Sequence, residues 1–153
     1  MAEALCEVWF YHLERTALDH ALPDLLEKTL ARGWRAIVQV TTSDRLEQLD
    51  TWLWSYRDDS FLPHGLQGES QAERQPILLT TGDFGDHEAH VLFLIDGAEP
   101  ARLQAFSRCV VMFDGRDEAA LAQARALWKS LTAQDLPLTY WRQNERGGWE
   151  KQG

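Results

Sequence analysis

The densest group of metal-capable side chains is Asp83, Asp86, His87, Glu88 and His90. Imidazoles and carboxylates are the donors a divalent ion takes. The spacing fails, however: a zinc-protease helix needs H-E-x-x-H, because residues four apart share a face. His87 and His90 are three apart and follow turn residues, so they read as a solvated polar loop. Cys6 and Cys109 are too few for a disulfide framework or a complete zinc site. Both lie in apolar runs and read as buried small hydrophobes. No glycine-flanked serine elbow is present, and the neighbouring Asp58 and Asp59 read as solvated. No catalytic residue, metal or cofactor is nominated, and the chain alone is not expected to be an enzyme.

Two other groups have the chemistry of docking. Trp54 follows Leu46, Leu49 and Leu53, which assign a helix's core face, and lies about 100° round from Leu53. It opens the stretch Trp54-Ser55-Tyr56-Arg57-Asp58-Asp59-Ser60-Phe61-Leu62-Pro63-His64. Tryptophan, tyrosine and arginine dominate interface hot spots; equally, Trp54 and Phe61 could seal the edge of this domain's own core. Arg125, Trp128 and Lys129 stand at i, i+3 and i+4 and therefore share one helix face. Such a face suits an anionic partner. It is also what an ordinary solvated helix carries.

The charge distribution bears on that choice. The 153 residues hold 15 basic and 24 acidic side chains, a net −9. Residues 1–100 contain 7 basic and 18 acidic ones, whereas residues 101–153 contain 8 and 6. An acidic surface repels phosphate, which argues against direct nucleic-acid binding. The C-terminal third is where an anionic partner meets least repulsion. No run of 18 apolar residues suggests a membrane span, and Met1-Ala2-Glu3-Ala4 lacks the features of a secretory signal. A cytoplasmic location is the expectation.

The elements that must hold these residues follow from patterning. Residues 5–11 are aromatic and β-branched, a first strand. Leu22, Leu25, Leu26 and Leu30 repeat at helical spacing, with Pro23 in a first turn and Gly33 as the stop. Strands are expected at 35–40, 77–80, 91–95, 109–113 and 138–141, and a loop between Phe61 and Pro76. Ser43 or Asp44 caps a second helix, and Asp117 starts the last, which carries Ala120, Ala124, Leu127 and Leu131 inward. The order β-α-β-α-β-β-β-α-β predicts one α/β domain over 1–153, with a mainly parallel central sheet and helices on both faces. Such sheets bind nucleotides at their carboxyl edge. Yet His12-Leu13-Glu14-Arg15-Thr16 after the first strand has no glycine, and no phosphate loop exists elsewhere.

The block from Leu53 to His64 resembles the signature of the chi subunit of bacterial DNA polymerase III: a helix ending in Leu-Trp, then Ser-Phe-hydrophobic-Pro-His. The likeness extends to the first aromatic strand, Gly33-Trp34-Arg35 before strand two, and the acidic-capped last helix. It implies a nucleotide-binding type of fold that binds no nucleotide. It also implies pairing with the psi subunit, and through psi with the clamp loader. The family's psi-facing tryptophan and phenylalanine match Trp54 and Phe61. Its grip on the acidic C-terminal tail of single-stranded DNA-binding protein matches Arg125, Trp128 and Lys129. Leu121 departs from it, standing where a relative has lysine; Arg142 and Arg146 are candidate substitutes. The rival readings are an accessory partner of an XPD-like repair helicase using the Trp54 and Phe61 surface, and a nucleotide-binding α/β enzyme.

Overall fold

The computed structural model describes residues 6–56, 62–82, 84, 87–100, 103–146 and 148–152. The aromatic run near the amino end forms β1 (Glu7–Leu13), followed by α1 (Leu18–Ala31), β2 (Ala36–Gln39) and α2 (Ser43–Ser55). Next come β3 (His64–Leu66), β4 (Ile77–Thr80), β5 (Val91–Leu94) and β6 (Arg108–Asp114). The chain ends with α3 (Glu118–Ala133), β7 (Leu138–Gln143) and β8 (Trp149–Gln152). Among the described residues the strands make one sheet in the order β3-β4-β2-β5-β6-β1-β7-β8. Every pairing is parallel except that of β7 with β8. The mainly parallel α/β reading therefore holds.

Strand side chains alternate between faces, so each face collects its own core. Tyr11, Leu13, Val38, Leu79, Phe93 and Met112 pack with Leu22 and Leu26 of α1 and Leu46, Leu49 and Leu53 of α2. On the opposite face Val8, Phe10, Ile37, Leu78, Leu92 and Val111 pack with Ala124 and Leu131 of α3. All four residues of β2, β4 and β5 are buried, as strands covered on both sides must be. Cys6 and Cys109 are buried in the α3-side core. Burial pushes the Cys6 thiol up to about 11 and Cys109 well above its ordinary value, which keeps both unreactive.

Several local expectations are corrected. The segment after Phe61 is not all loop: β3 pairs with β4, and Ala72–Arg74 makes a short 3-10 turn. The sequence His64-Gly65-Leu66 has too little β-branched pattern to show this; pairing to the sheet edge creates the strand. The hairpin partner β8 was likewise hidden in a polar terminus. Thr42, not Ser43 or Asp44, caps α2, its hydroxyl accepting from the Arg45 N–H at 3.1 Å.

Pro23 lies inside α1, not in its first turn, and has no N–H to give the Asp19 carbonyl. The Trp52 indole Nε1 in α2 donates to that oxygen instead, at 2.5 Å. Arg45 meanwhile binds the Asp19 carboxylate, with Nη1 to Oδ2 at 3.1 Å, and Asp96 at 2.6 Å. The missing bond of one helix thus fastens it to the next. Trp52→Phe should destabilise the fold by about 1–3 kcal/mol, because a partly buried carbonyl loses its donor. Urea unfolding would measure this, and an unchanged midpoint would count against the clasp.

Candidate functional site

Strands β1 and β6 are neighbours, but the chain leaves β1 into α1 on one face and β6 into α3 on the other. Their carboxyl ends therefore flank the crevice where an open α/β sheet would hold a nucleotide. On the β7 side of β1, the buried Gln143 side chain fills the turn after β1. Its Oε1 accepts from the backbone N–H groups of Glu14, Arg15 and Thr16 at 3.0, 2.8 and 3.1 Å. Its Nε2 donates to Thr16 Oγ1 at 2.9 Å. Converging amides of this kind otherwise attract anions.

One docking candidate lies beside that crevice, on the α3 face. Trp128 is half-buried and meets Phe10 and Tyr140 edge-on, with centroids 5.2 and 5.7 Å away. Arg125 and Lys129 flank it, both exposed, and among the described residues neither has an ion-pair partner. The three thus share a face, as their spacing predicts. Leu121 packs against the core. Arg142 is not a spare cation: its Nε and Nη2 bind Glu14 at 2.8 and 2.5 Å. Arg146 sits in the turn between β7 and β8. Beneath Trp128, the Tyr140 hydroxyl meets His12 Nδ1 at 2.5 Å.

The other candidate lies on the opposite face, near the β3 edge. Trp54 is 51% exposed, the one large hydrophobic so exposed among the described residues. It does not plug the core. Its indole donates to Asp50 Oδ1 at 3.2 Å and its ring lies 4.3 Å from that of His64. The same Oδ1 is 2.9 Å from His64 Nε2, while His64 Nδ1 meets the Leu62 carbonyl at 2.7 Å. Asp50 and His64 thus hold the indole at the surface. Phe61 falls outside the described residues. Asp50 and Trp54, four apart on one helix, were legible as a pair; Gln143 gave no signal.

The histidine-rich loop is not simply solvated. His87 is buried, with Nε2 2.7 Å from the Gln75 carbonyl. His90 stacks on Trp34, and its Nδ1 accepts from the Arg35 N–H at 3.0 Å. The described residues contain no group of three metal ligands, and Asp83 and Asp86 lie outside them. No described helix is long and apolar enough to cross a membrane.

The family model for the DNA polymerase III chi subunit, HolC, matches residues 5–139. The chain belongs to the DNA polymerase III chi subunit family. A curated relative, described as a probable DNA polymerase III subunit chi from Rickettsia prowazekii (strain Madrid E), is 25% identical over 148 residues. That alignment covers 92% of this chain and 88% of the relative. Among solved structures, the C-terminal domain of the DEAD-box protein Dbp5 superposes with a TM-score of 0.57 at 16% identity. It covers 92% of this chain and 91% of that one, a likeness of fold alone.

Burial holds His12 below its ordinary 6.5; Arg142 and Arg125 add to this, and Glu14 and Asp114 oppose it. His87 is held low chiefly by the same cause. Unfolding exposes both rings, so the unfolded chain takes up protons first as pH falls. Their contribution to stability is therefore present above pH 6.5 and lost progressively below it. In urea titrations across that range His12→Gln should flatten part of the loss, leaving the share due to His87. A slope as steep as the parent's would refute the assignment.

Proposed function

We propose that this protein is a non-catalytic adaptor of the DNA polymerase III assembly in DNA replication, with two protein-docking surfaces on opposite faces of its sheet. Trp54 and, by the family resemblance, Phe61 receive the psi subunit, which connects the chain to the clamp loader. The Arg125, Trp128 and Lys129 face receives the acidic C-terminal tail of single-stranded DNA-binding protein. Contact with DNA is indirect. The observation that carries this reading is Trp54, exposed yet pinned by Asp50 and His64. A large apolar ring held rigid at the surface loses little conformational freedom on binding, as a hot-spot anchor should.

Magnitudes support a weak tail contact. Burial of one phenylalanine ring contributes about 1.5–3 kcal/mol, and each charge-assisted hydrogen bond about 1.5–3 kcal/mol. After association costs this gives roughly micromolar affinity or weaker. An oligomer offering several tails raises occupancy by avidity.

Trp54→Ala should weaken co-purification of psi, by about 2 kcal/mol or more, while tail binding stays as in the parent. Normal recovery of psi would remove Trp54 from the interface. In such a pull-down, an XPD-like helicase taken in place of psi would redirect the surface to repair. Conversely, Arg125→Ala with Trp128→Ala should abolish binding of an acidic, phenylalanine-ended peptide and spare psi. Calorimetry giving the parent's peptide affinity would overturn the tail assignment.

A further inference from the structure

At the amino ends of β1, β2 and β6, the opposite end of the sheet from Gln143, lies a cationic cluster that neither docking surface uses. Helix α1 stops at Gly33, whose φ of 80° lets the chain turn back on the helix end. The Gly33 N–H reaches the Leu30 carbonyl at 2.9 Å and the Trp34 N–H reaches that of Thr29 at 3.2 Å. This closing motif places Arg32 and Trp34 together. The Arg32 guanidinium lies 3.9 Å from the Trp34 ring centroid. Arg108 reaches the same ring at 5.2 Å and Trp9 at 3.7 Å. Beside them opens a hollow of about 470 Å3, lined by Glu7, Arg32, Trp34, Gln104, Ser107 and Arg108 among others.

The cluster is short of negative charge. Among the described residues Arg32 has no carboxylate partner, and Arg108 has Glu7 at 3.8 Å, the outer limit of an ion pair. Arg108 Nε is buried and makes no hydrogen bond. A buried donor on an under-compensated cation is costly, and aromatic faces offset that only in part. Burial, followed by the Arg32 charge, lowers the Arg108 pKa from its ordinary value. The Trp34 ring already carries Arg32, Arg108 and the stacked His90 ring, 5.7 Å away. A nucleic-acid base would have to displace them before stacking there.

We infer that this hollow is an oxyanion site, in which Arg32 and Arg108 grip a phosphate or carboxylate group, with Ser107 on its rim. Two guanidiniums around one small anion supply paired, charge-assisted donors, and Arg108 Nε gains its missing acceptor.

The test follows the Arg108 Nε–H resonance of the full-length protein by 15N NMR. Inorganic phosphate and a hexaglutamate peptide are titrated separately. One or both should shift this resonance saturably. Arg32→Gln, at an exposed position without an ion pair, should weaken the response about tenfold or more. Arg108→Lys, followed by tryptophan fluorescence, should weaken it too, because the fork is lost while the charge remains. Added salt should also reduce it, whereas Lys151→Ala, at an exposed position outside the hollow, should titrate like the parent. Saturation by phosphate alone assigns a free-phosphate source, and saturation by the peptide alone a carboxylate source. No shift with either ligand, or a shift that Arg32→Gln leaves intact, overturns the site.

Discussion

Three backbone N–H groups in the turn after β1 need an acceptor, and one buried side-chain oxygen, that of Gln143, serves them all. The amides are partly shielded from water, and by bonding all three this contact fixes both the turn and the carboxyl end of β7. It also decides where function can lie. In a nucleotide-binding sheet these amides would face phosphate. Here the protein's own carboxamide occupies them, with Glu14 and Asp114 nearby. The turn after β1 has become a structural joint between β1 and β7.

The outer surface is shaped by how the helices are fastened. On one face Asp19 joins α1 to α2 through its carbonyl and its carboxylate, taking Trp52 on the first and Arg45 on the second. Those contacts fix the rotation of α2, and that rotation sends Leu46, Leu49 and Leu53 inward and leaves Trp54 outside. Asp50 and His64 then hold the indole where the helix has put it. On the other face α3 packs on β6 and β7. Its Trp128 rests on Phe10 and Tyr140, so the flanking Arg125 and Lys129 stand beside an aromatic ledge.

Much of this was legible in the sequence because burial imposes period. The helices and the six stronger strands announce themselves by spacing, and Gly33 marks its helix end by a left-handed backbone conformation that favours glycine. The edge strands β3 and β8 did not. They are short and polar, and they exist because a neighbouring strand offers hydrogen bonds. Pro23 suggested a helix start, since local preference cannot show that a tryptophan in another helix will satisfy the carbonyl it strands. The shared face of Arg125, Trp128 and Lys129 was readable from helical geometry. Whether Trp54 faced core or solvent was not, because a residue at the flank of a stripe is decided by how the helix is rolled. The roles of Gln143 and Arg108 depend on contacts between distant segments, which no local pattern encodes.

The arginines carry the argument one step further. In a chain with 24 acidic and 15 basic side chains, a carboxylate is the partner each cation meets most readily. Arg45, Arg116 and Arg142 follow that rule, each within 2.8 Å of a carboxylate oxygen. Among the described residues Arg32, Arg125 and Lys129, like several other cations, have no such partner, and Arg108 has one only at arm's length. These four lie against or beside tryptophan rings, and of them Arg108 is the one partly shielded from water. A cation kept from carboxylates in so acidic a protein is poised for an anion from outside. That shared electrostatic logic links the α3 face to the cluster at the opposite end of the sheet, though the two differ in every residue.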